Sequence, residues 1–279
     1  MKKASDILNH GKSILKNAGV ESYSFDASVL FEHIYDMTKT DVILQGEKLL
    51  DEDDYLKVCS LRANGQPLQY IVGEWEFMGL DFYVDKNVLI PRADTETLTN
   101  YIIDMGGAPT VLDMCTGSGC IGISLAVFLK DAKVTLADVS APALDVARKN
   151  VQRNGVSVEV VQADLKNGYK QYFKEKSFDI IVSNPPYIKS ADMQTLSKEV
   201  RCEPYIALDG GAQGTDFYKA LILLWKDALK DGGVMVLEAG YDTYRDICTL
   251  FTECGYSNIV TRKDVNGIVR MVSATKTND

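Results

Sequence analysis

Histidine is nearly missing from this chain of 279 residues: His10 and His33 are the only two. Everything C-terminal to His33 must therefore do its chemistry without an imidazole, the usual general base near neutral pH. Cysteine occurs six times (Cys59, Cys115, Cys120, Cys202, Cys248, Cys254) but never as a CxxC pair, so neither a zinc knuckle nor a disulfide framework is spelled out. The thiols read as reduced, the compartment as cytoplasmic, and no metal site is expected. No run reaches the roughly 18 apolar residues of a membrane span. Asn9, His10 and Gly11 break the stretch after Lys2-Lys3 before an export signal could form, so neither membrane association nor export is expected. Positive charge is also scarce, with 30 Lys and Arg against 39 Asp and Glu and a formal net charge of −9. Such a field repels phosphate backbones, so direct nucleic-acid binding is not expected and a protein or small-molecule partner is.

The residues that are present make ordinary globular material, with 46% hydrophobic and 25% charged. Up to about residue 73 the apolar residues recur at helical spacing, as in Ala27, Leu30 and Ile34 and in Tyr55, Val58 and Leu61, which predicts a small helical domain over 1–73. Residues 74–90 alternate around Met78-Gly79 and predict a β-hairpin that links it to the next domain. From Pro91, strands alternate with amphipathic helices over 91–279, the order of a parallel sheet covered on both faces. The strands are expected at Thr110 to Met114, Lys133 to Ala137, Ser157 to Gln162, Phe178 to Ser183 and Val234 to Glu238, with helices filling the gaps. Asn258 to Arg262 and Ile268 to Ser273 flank Asn266-Gly267 and should close the sheet as an antiparallel hairpin. The fold class is thus α/β: a Rossmann-like sheet of seven strands ending in that hairpin, the class I methyltransferase architecture, plus the helical domain.

Asp113-Met114-Cys115-Thr116-Gly117-Ser118-Gly119 leads out of the first of these strands into a helix, and with Gly122 it satisfies GxGxxG. Asp138, at the end of the next strand, is placed to grip two ribose hydroxyls. These features suit NAD and S-adenosylmethionine alike. Asp113 tips the choice, because it would attract the positive end of a zwitterionic amino acid and repel a pyrophosphate. Asp164 can accept from an adenine amino group while Leu165 packs on the ring. S-adenosyl-L-methionine is therefore the expected cofactor.

Proline occurs only seven times, yet two stand together in Asn184-Pro185-Pro186-Tyr187, directly after the fourth strand. Each fixes its own φ and pushes its predecessor toward extended geometry, which makes a stiff arm at the carboxyl edge of the sheet. An amide or aniline-like nitrogen is a poor nucleophile and needs orientation more than deprotonation. The Asn184 side-chain oxygen and the Pro185 carbonyl can each accept one N–H from it, and Tyr187 offers a face for the planar group. Asn184, Pro185 and Tyr187 are accordingly the expected catalytic residues.

These residues resemble the HemK/PrmC family, peptide chain release factor glutamine methyltransferases that modify the glutamine of a GGQ loop. The likeness also rests on Gln66-Pro67-Leu68-Gln69-Tyr70-Ile71-Val72-Gly73, on Pro91-Arg92-Ala93-Asp94-Thr95-Glu96, and on Glu203-Pro204 with Ala207-Leu208-Asp209-Gly210-Gly211. It implies that residues 115 to 119 and Asp138 hold the methyl donor, with Asp113, Asp164, Leu165 and Asn184 beside it. It implies too that Asn184, Pro185, Pro186 and Tyr187 hold the glutamine amide, with Arg92 as a further candidate for substrate. Cys115 and Thr116 stand where many members have Gly-Thr. The resemblance assigns the helical domain to release-factor recognition, and a monomer is expected. The glycines at 210 and 211 suggest a loop that closes over substrate. The rival enzymatic reading is an N(6)-adenine DNA or RNA methyltransferase, which shares the Asn-Pro-Pro-Tyr arm but should carry basic patches. The rival non-enzymatic reading is a cofactor-binding partner of translation factors.

Overall fold

The computed structural model describes residues 1–277, which divide into two compact units: 1–73 with 197–202, and 74–196 with 203–277. The first contains helices α1 (Ala4–Asn17), α2 (Tyr23–Tyr35), α3 (Lys39–Gln45), α4 (Asp53–Ala63) and α5 (Leu68–Val72), and a minimal antiparallel pair, β1 (Lys2–Lys3) with β2 (Leu49–Leu50). Ala4, Ile7, Leu8 and Leu15 line the inner face of α1 at the spacing of one helical stripe. On α4 the buried stripe is Tyr55, Cys59 and Arg62, and Leu61 is exposed, so the expected Tyr55–Val58–Leu61 face lies slightly off register. An arginine can occupy the inner face because the buried Asp26 carboxylate accepts from its Nε at 2.6 Å and Glu199 lies 2.7 Å from its Nη2. Buried charge is tolerated where it is paired in this way.

In the second unit, β3 (Glu74–Phe77) and β4 (Leu80–Tyr83) form the expected hairpin, with Met78 and Gly79 both at positive φ as a tight two-residue turn requires. The hairpin is not a free-standing linker. Phe77 and Phe82 meet edge to face, 6.2 Å between centroids, and enter the core with Leu98, Ile102 and Val111.

Helix α6 (Glu96–Met105) precedes the main sheet of β5 (Thr110–Met114), β6 (Lys133–Asp138), β7 (Glu159–Gln162), β8 (Phe178–Ser183), β9 (Leu229–Glu238), β10 (Tyr256–Lys263) and β11 (Val269–Lys276). The spatial order is β10-β11-β9-β8-β5-β6-β7; β9 through β7 run parallel, and β11 is antiparallel to both neighbours. Its central strands are buried along most of their length because both faces are covered, with runs such as Val111-Leu112 and Ile180-Ile181-Val182 at their middles. Helices α6, α7 (Cys120–Phe128) and α8 (Ala141–Arg153) cover one face, contributing Ile102, Ile121, Leu125 and Ala147; α9 (Asp216–Leu224) and α10 (Tyr244–Glu253) cover the other with Tyr218, Leu221, Ile247 and Phe251.

One expected helix is absent. Between β7 and β8 the chain makes only 3-10 turns, Leu165–Asn167 and Tyr169–Gln171. Asp164 takes the Lys166 amide onto its own side chain, and the Trp225 indole N–H donates to the Leu165 carbonyl at 2.8 Å, so the groups that would start a helix are bonded elsewhere. Trp225 is fully buried and stacks on Tyr172 at 6.4 Å. Trp225→Ala is expected to destabilise the fold by about 3–5 kcal/mol, the usual range for a buried aromatic truncated to alanine. The urea unfolding midpoint checks it.

Candidate active site

The carboxyl ends of β5, β6, β7 and β8 meet at one edge of the sheet, where ligands of open α/β folds bind. From β5 the chain turns through residues 115–119 into α7. The turn is held from inside by Asp113, whose Oδ2 accepts from the Thr116 hydroxyl at 2.5 Å and from the Gly122 amide at 2.9 Å. Asp113 is completely buried, and desolvation pushes its carboxyl up to about 7 against those two hydrogen bonds. Oδ2 thus builds the loop, whereas the buried Oδ1 has no hydrogen-bond partner among the described residues; Asp113 does not itself border the cavity that the loop encloses. Cys115 sits at φ +61°, in the left-handed region where a side chain costs about 1–2 kcal/mol, which is why a glycine suits this position.

That cavity, of about 220 Å³, lies at the sheet edge. Cys115, Thr116, Gly117 and Ser118 border it, as do Asp138, Asp164, Leu165, Asn184, Pro186 and Arg92; Gly119 is set back and caps α7 at positive φ. Asp138 receives the Gly117 amide on Oδ2 at 3.0 Å and the Ser140 amide on Oδ1 at 2.9 Å. Burial raises its pKa and these backbone donors oppose the rise. Each oxygen keeps a lone pair for a diol. Farther along, Asp164 and the apolar Leu165, Ala143, Val139 and Phe217 make a slot for a flat ring with an exocyclic donor. A Cβ added at Gly117 would meet no protein atom within 4 Å and would occupy the cavity itself. A diol acceptor, an apolar slot with a carboxylate at its rim and a bare backbone between them fit S-adenosylmethionine.

Asn184, at the end of β8, borders the same cavity and donates from Nδ2 to the Thr95 hydroxyl at 3.3 Å. Thr95 Oγ1 in turn donates to Glu238 Oε2 at 2.6 Å, and the Tyr187 hydroxyl reaches Glu238 Oε1 at 3.4 Å. The arm divides its work. Asn184 and Pro186 face the cavity, whereas Pro185 is buried outside its wall and the Tyr187 ring packs against Gly240. Tyr187 is half-buried and does not itself border the cavity; its ring braces the arm, and desolvation lifts its phenol well above the usual range. Gly210 is a point of close approach. A Cβ there would lie 2.6 Å from the Tyr187 Cα, and the Gly210 amide donates to the Ile188 carbonyl at 2.7 Å, so glycine lets this segment press on the back of the arm.

The stretch Arg92 to Glu96 ties four elements together. Arg92 pairs with the buried Glu203, which also takes the Ile90 amide at 3.0 Å, so this cation has a structural partner as well as a place on the cavity wall. Asp94 pairs with Arg270 of β11 at 3.0 Å, Thr95 reaches Glu238, and Glu96 accepts the Met78 amide at 2.9 Å. Four site-building residues escape a reading of the sequence: Thr95, Glu203, Glu238 and Asn150. The last is completely buried on α8 and bonds the Tyr83 amide and carbonyl and the Ser118 carbonyl at 2.7–3.0 Å, joining the hairpin to the glycine loop.

A seven-stranded sheet closed by an antiparallel hairpin, with this loop and cavity at its edge, defines a class I methyltransferase. Residues 94–201 match the Methyltransferase small domain family and residues 6–73 the PrmC N-terminal domain family. The chain is 36% identical to the release factor glutamine methyltransferase of Clostridium acetobutylicum, over 98% of this chain and 99% of that one. It is 35% identical to that of Geobacter sulfurreducens, over 95% and 94%. A methyltransferase crystal structure from Pyrococcus furiosus shares the fold, with a TM-score of 0.54 and 24% identity over 72% of this chain and 91% of that chain. The chain belongs to the release factor glutamine methyltransferase family, and S-adenosylmethionine is its methyl donor. This membership excludes NAD and sets aside the adenine-directed reading.

Gly117→Ala is expected to weaken S-adenosylmethionine binding by at least about tenfold through the methyl group placed in the cavity, with a stability loss limited to about 1–2 kcal/mol for the left-handed backbone. Titration calorimetry and thermal unfolding separate the two effects.

Proposed function

We propose that this enzyme methylates the side-chain amide nitrogen of the glutamine in the GGQ loop of peptide chain release factors, with Asn184 as the residue that aims the nitrogen. One observation carries the reading: Asn184 stands on a proline-stiffened arm at the wall of the cofactor cavity, with its own nitrogen already engaged by Thr95. Its Oδ1 is then the branch offered to an incoming NH2; Pro185 does not line the cavity, so its carbonyl serves as the second acceptor only for a substrate amide that reaches past the wall formed by Asn184 and Pro186. Asp138 holds the ribose, Asp164 and Leu165 the adenine, and residues 115–118 the backbone side of the donor. The bound cofactor supplies an electrophilic methyl on a sulfonium. The two oxygen acceptors orient the amide lone pair and stabilise positive charge as it develops on the nitrogen. Both histidines lie in the first unit, so this site works by orientation, without an imidazole.

Incubating the protein with labelled S-adenosylmethionine and a release factor, then sequencing the GGQ peptide by mass spectrometry, tests the reading. One added methyl on glutamine is expected. Asn184→Ala should lower kcat by roughly 100- to 1000-fold, the scale of a lost preorganised hydrogen bond of about 2.7–4 kcal/mol. Near-normal turnover in that variant removes Asn184 from the mechanism.

The first unit is the proposed recognition surface for the body of the release factor. Ile43 and Leu44 on α3 are about three-quarters exposed side by side, an apolar step of the kind that partners cover. Replacing both by glutamate is expected to raise KM for the whole release factor about tenfold or more, worth about 1.4 kcal/mol. A short GGQ peptide should be methylated unchanged. The monomeric state and a cytoplasmic location complete the proposal; the six cysteines are unpaired, which suits a reducing compartment.

A further inference from the structure

A primary amide presents a donor on one branch and an acceptor on the other, so a catalytic asparagine is useful only if something decides which branch faces the substrate. The atoms behind Asn184 make that decision. Glu238, at the end of β9, is completely buried and has one hydroxyl on each oxygen: Thr95 on Oε2 at 2.6 Å and Tyr187 on Oε1 at 3.4 Å. A carboxylate accepts on both oxygens, so both hydroxyls donate to it. A hydroxyl has a single proton. Once Thr95 gives that proton to Glu238, its oxygen can only accept, and the Asn184 branch 3.3 Å away must be the NH2. Oδ1 is left for the cavity side.

We propose that Thr95 and Glu238 are positioning residues that lock the Asn184 amide with its oxygen toward the substrate, so that the site selects a group bearing N–H donors. The inference rests on Asn184 being the acceptor for the substrate amide. Thr95 borders the cofactor cavity and Glu238 does not; in this role both act through Asn184. If Glu238 is neutral, its proton can go to Thr95, whose hydroxyl is then free to donate, and the Asn184 amide is free to rotate. Its N–H groups would then face the N–H groups of the substrate.

The groups that face Glu238 are Thr95 and Asp94 from the turn before α6, Tyr187 from the arm, Arg270 from β11, Cys120 from α7 and Tyr218 from α9, whose hydroxyl donates to the Glu238 backbone carbonyl at 2.9 Å. Burial pushes the Glu238 carboxyl up to about 7, opposed by the Thr95 hydrogen bond and the Arg270 charge. Activity is therefore expected to be full above that value and to fall as the pH drops through it.

The experiment compares Thr95→Val, which keeps shape and loses the hydroxyl, with Thr95→Ser, which keeps the hydroxyl. Glu238→Gln serves as an independent probe. kcat and KM are measured with a release factor and saturating S-adenosylmethionine from pH 5.5 to 9, and cofactor affinity by calorimetry. Thr95→Val is expected to lower kcat about 10- to 100-fold, the effect of one misdirected hydrogen bond of about 1.4–2.7 kcal/mol. Thr95→Ser should recover most of the rate, with cofactor affinity the same in both. Glu238→Gln is expected to lower kcat and to erase the acidic limb, because the residue no longer titrates. Equal kcat for the valine and serine variants overturns the inference, as does an acidic limb that persists in Glu238→Gln. If Thr95→Val fails to bind the cofactor, the Glu238→Gln pH profile decides alone. An inactive wild type with cofactor bound would sink the underlying glutamine reading instead. An active wild type with an inactive Asn184→Ala and indifferent Thr95 variants sinks only this one.

Discussion

A single buried carboxylate gives the site its shape. Asp113 takes the Thr116 hydroxyl and the Gly122 amide on one oxygen, and in doing so fixes both ends of the turn between β5 and α7. Only with those ends fixed does the Gly117 amide reach Asp138, and only then does the bare backbone form the cavity wall. A side chain in place of the Gly122 hydrogen would stand 3.0 Å from the Asp113 Oδ2 and 2.3 Å from Leu136, so helix, loop and strand are mutually determined. Held this way, the loop loses little further entropy when a ligand arrives. Burying a charge is expensive; Oδ2 of Asp113 is bonded twice, Oδ1 has no hydrogen-bond partner among the described residues, and the raised pKa eases the charge on the pair.

The second half of the site is wired from behind. The short stretch 92–96 reaches Glu203, β11, β9 and the hairpin turn, so the residues that look like one motif in the sequence are four separate fastenings. This suits chemistry that depends on aim. With no imidazole in the unit, nothing there compensates for a misdirected nucleophile, and positional accuracy must come from packing and hydrogen bonds.

How much of this can be read in the sequence depends on what each residue type can signal. β5 and β8 are legible to the residue because a strand buried on both faces carries a short apolar run, Val111-Leu112 and Ile180-Ile181-Val182, bounded by turn residues. The face of α4 is misjudged because Arg62 reads as solvent-facing, and only Asp26, distant in sequence, makes it an interior residue. The missing helix after β7 is illegible for the same reason: the Trp225 indole that donates to the Leu165 carbonyl comes from 60 residues away. At the site, the glycine turn and the Asn-Pro-Pro-Tyr arm announce themselves through backbone requirements. The direction of a side chain does not. The second task of Asp113 in holding the glycine turn and of Tyr187 in bracing the arm is not readable in the sequence, and Thr95, Asn150 and Glu238 look like routine caps and strand ends until their long-range partners are known.

Stiffness in the arm is the remaining step. Two prolines restrict its φ angles, but a restricted chain can still move as a rigid lever about its ends. The lever is pinned on its far side. Ile188 pairs with Asp209 in an isolated parallel bridge, the Ile188 carbonyl takes the Gly210 amide, and the Tyr187 ring packs on Gly240 close enough that a Cβ there would lie 2.9 Å from it. Asp209 is in turn held by Ser190 at 2.6 Å. A segment with this many short backbone contacts belongs to the frame of the site. The glycines at 210 and 240 are therefore better understood as the means by which two strands of chain come within contact of the arm than as hinges. An orienting mechanism requires that the acceptor oxygens stay still while the substrate approaches, and close backbone packing, with no bulky side chain between, is the most direct way to keep them so.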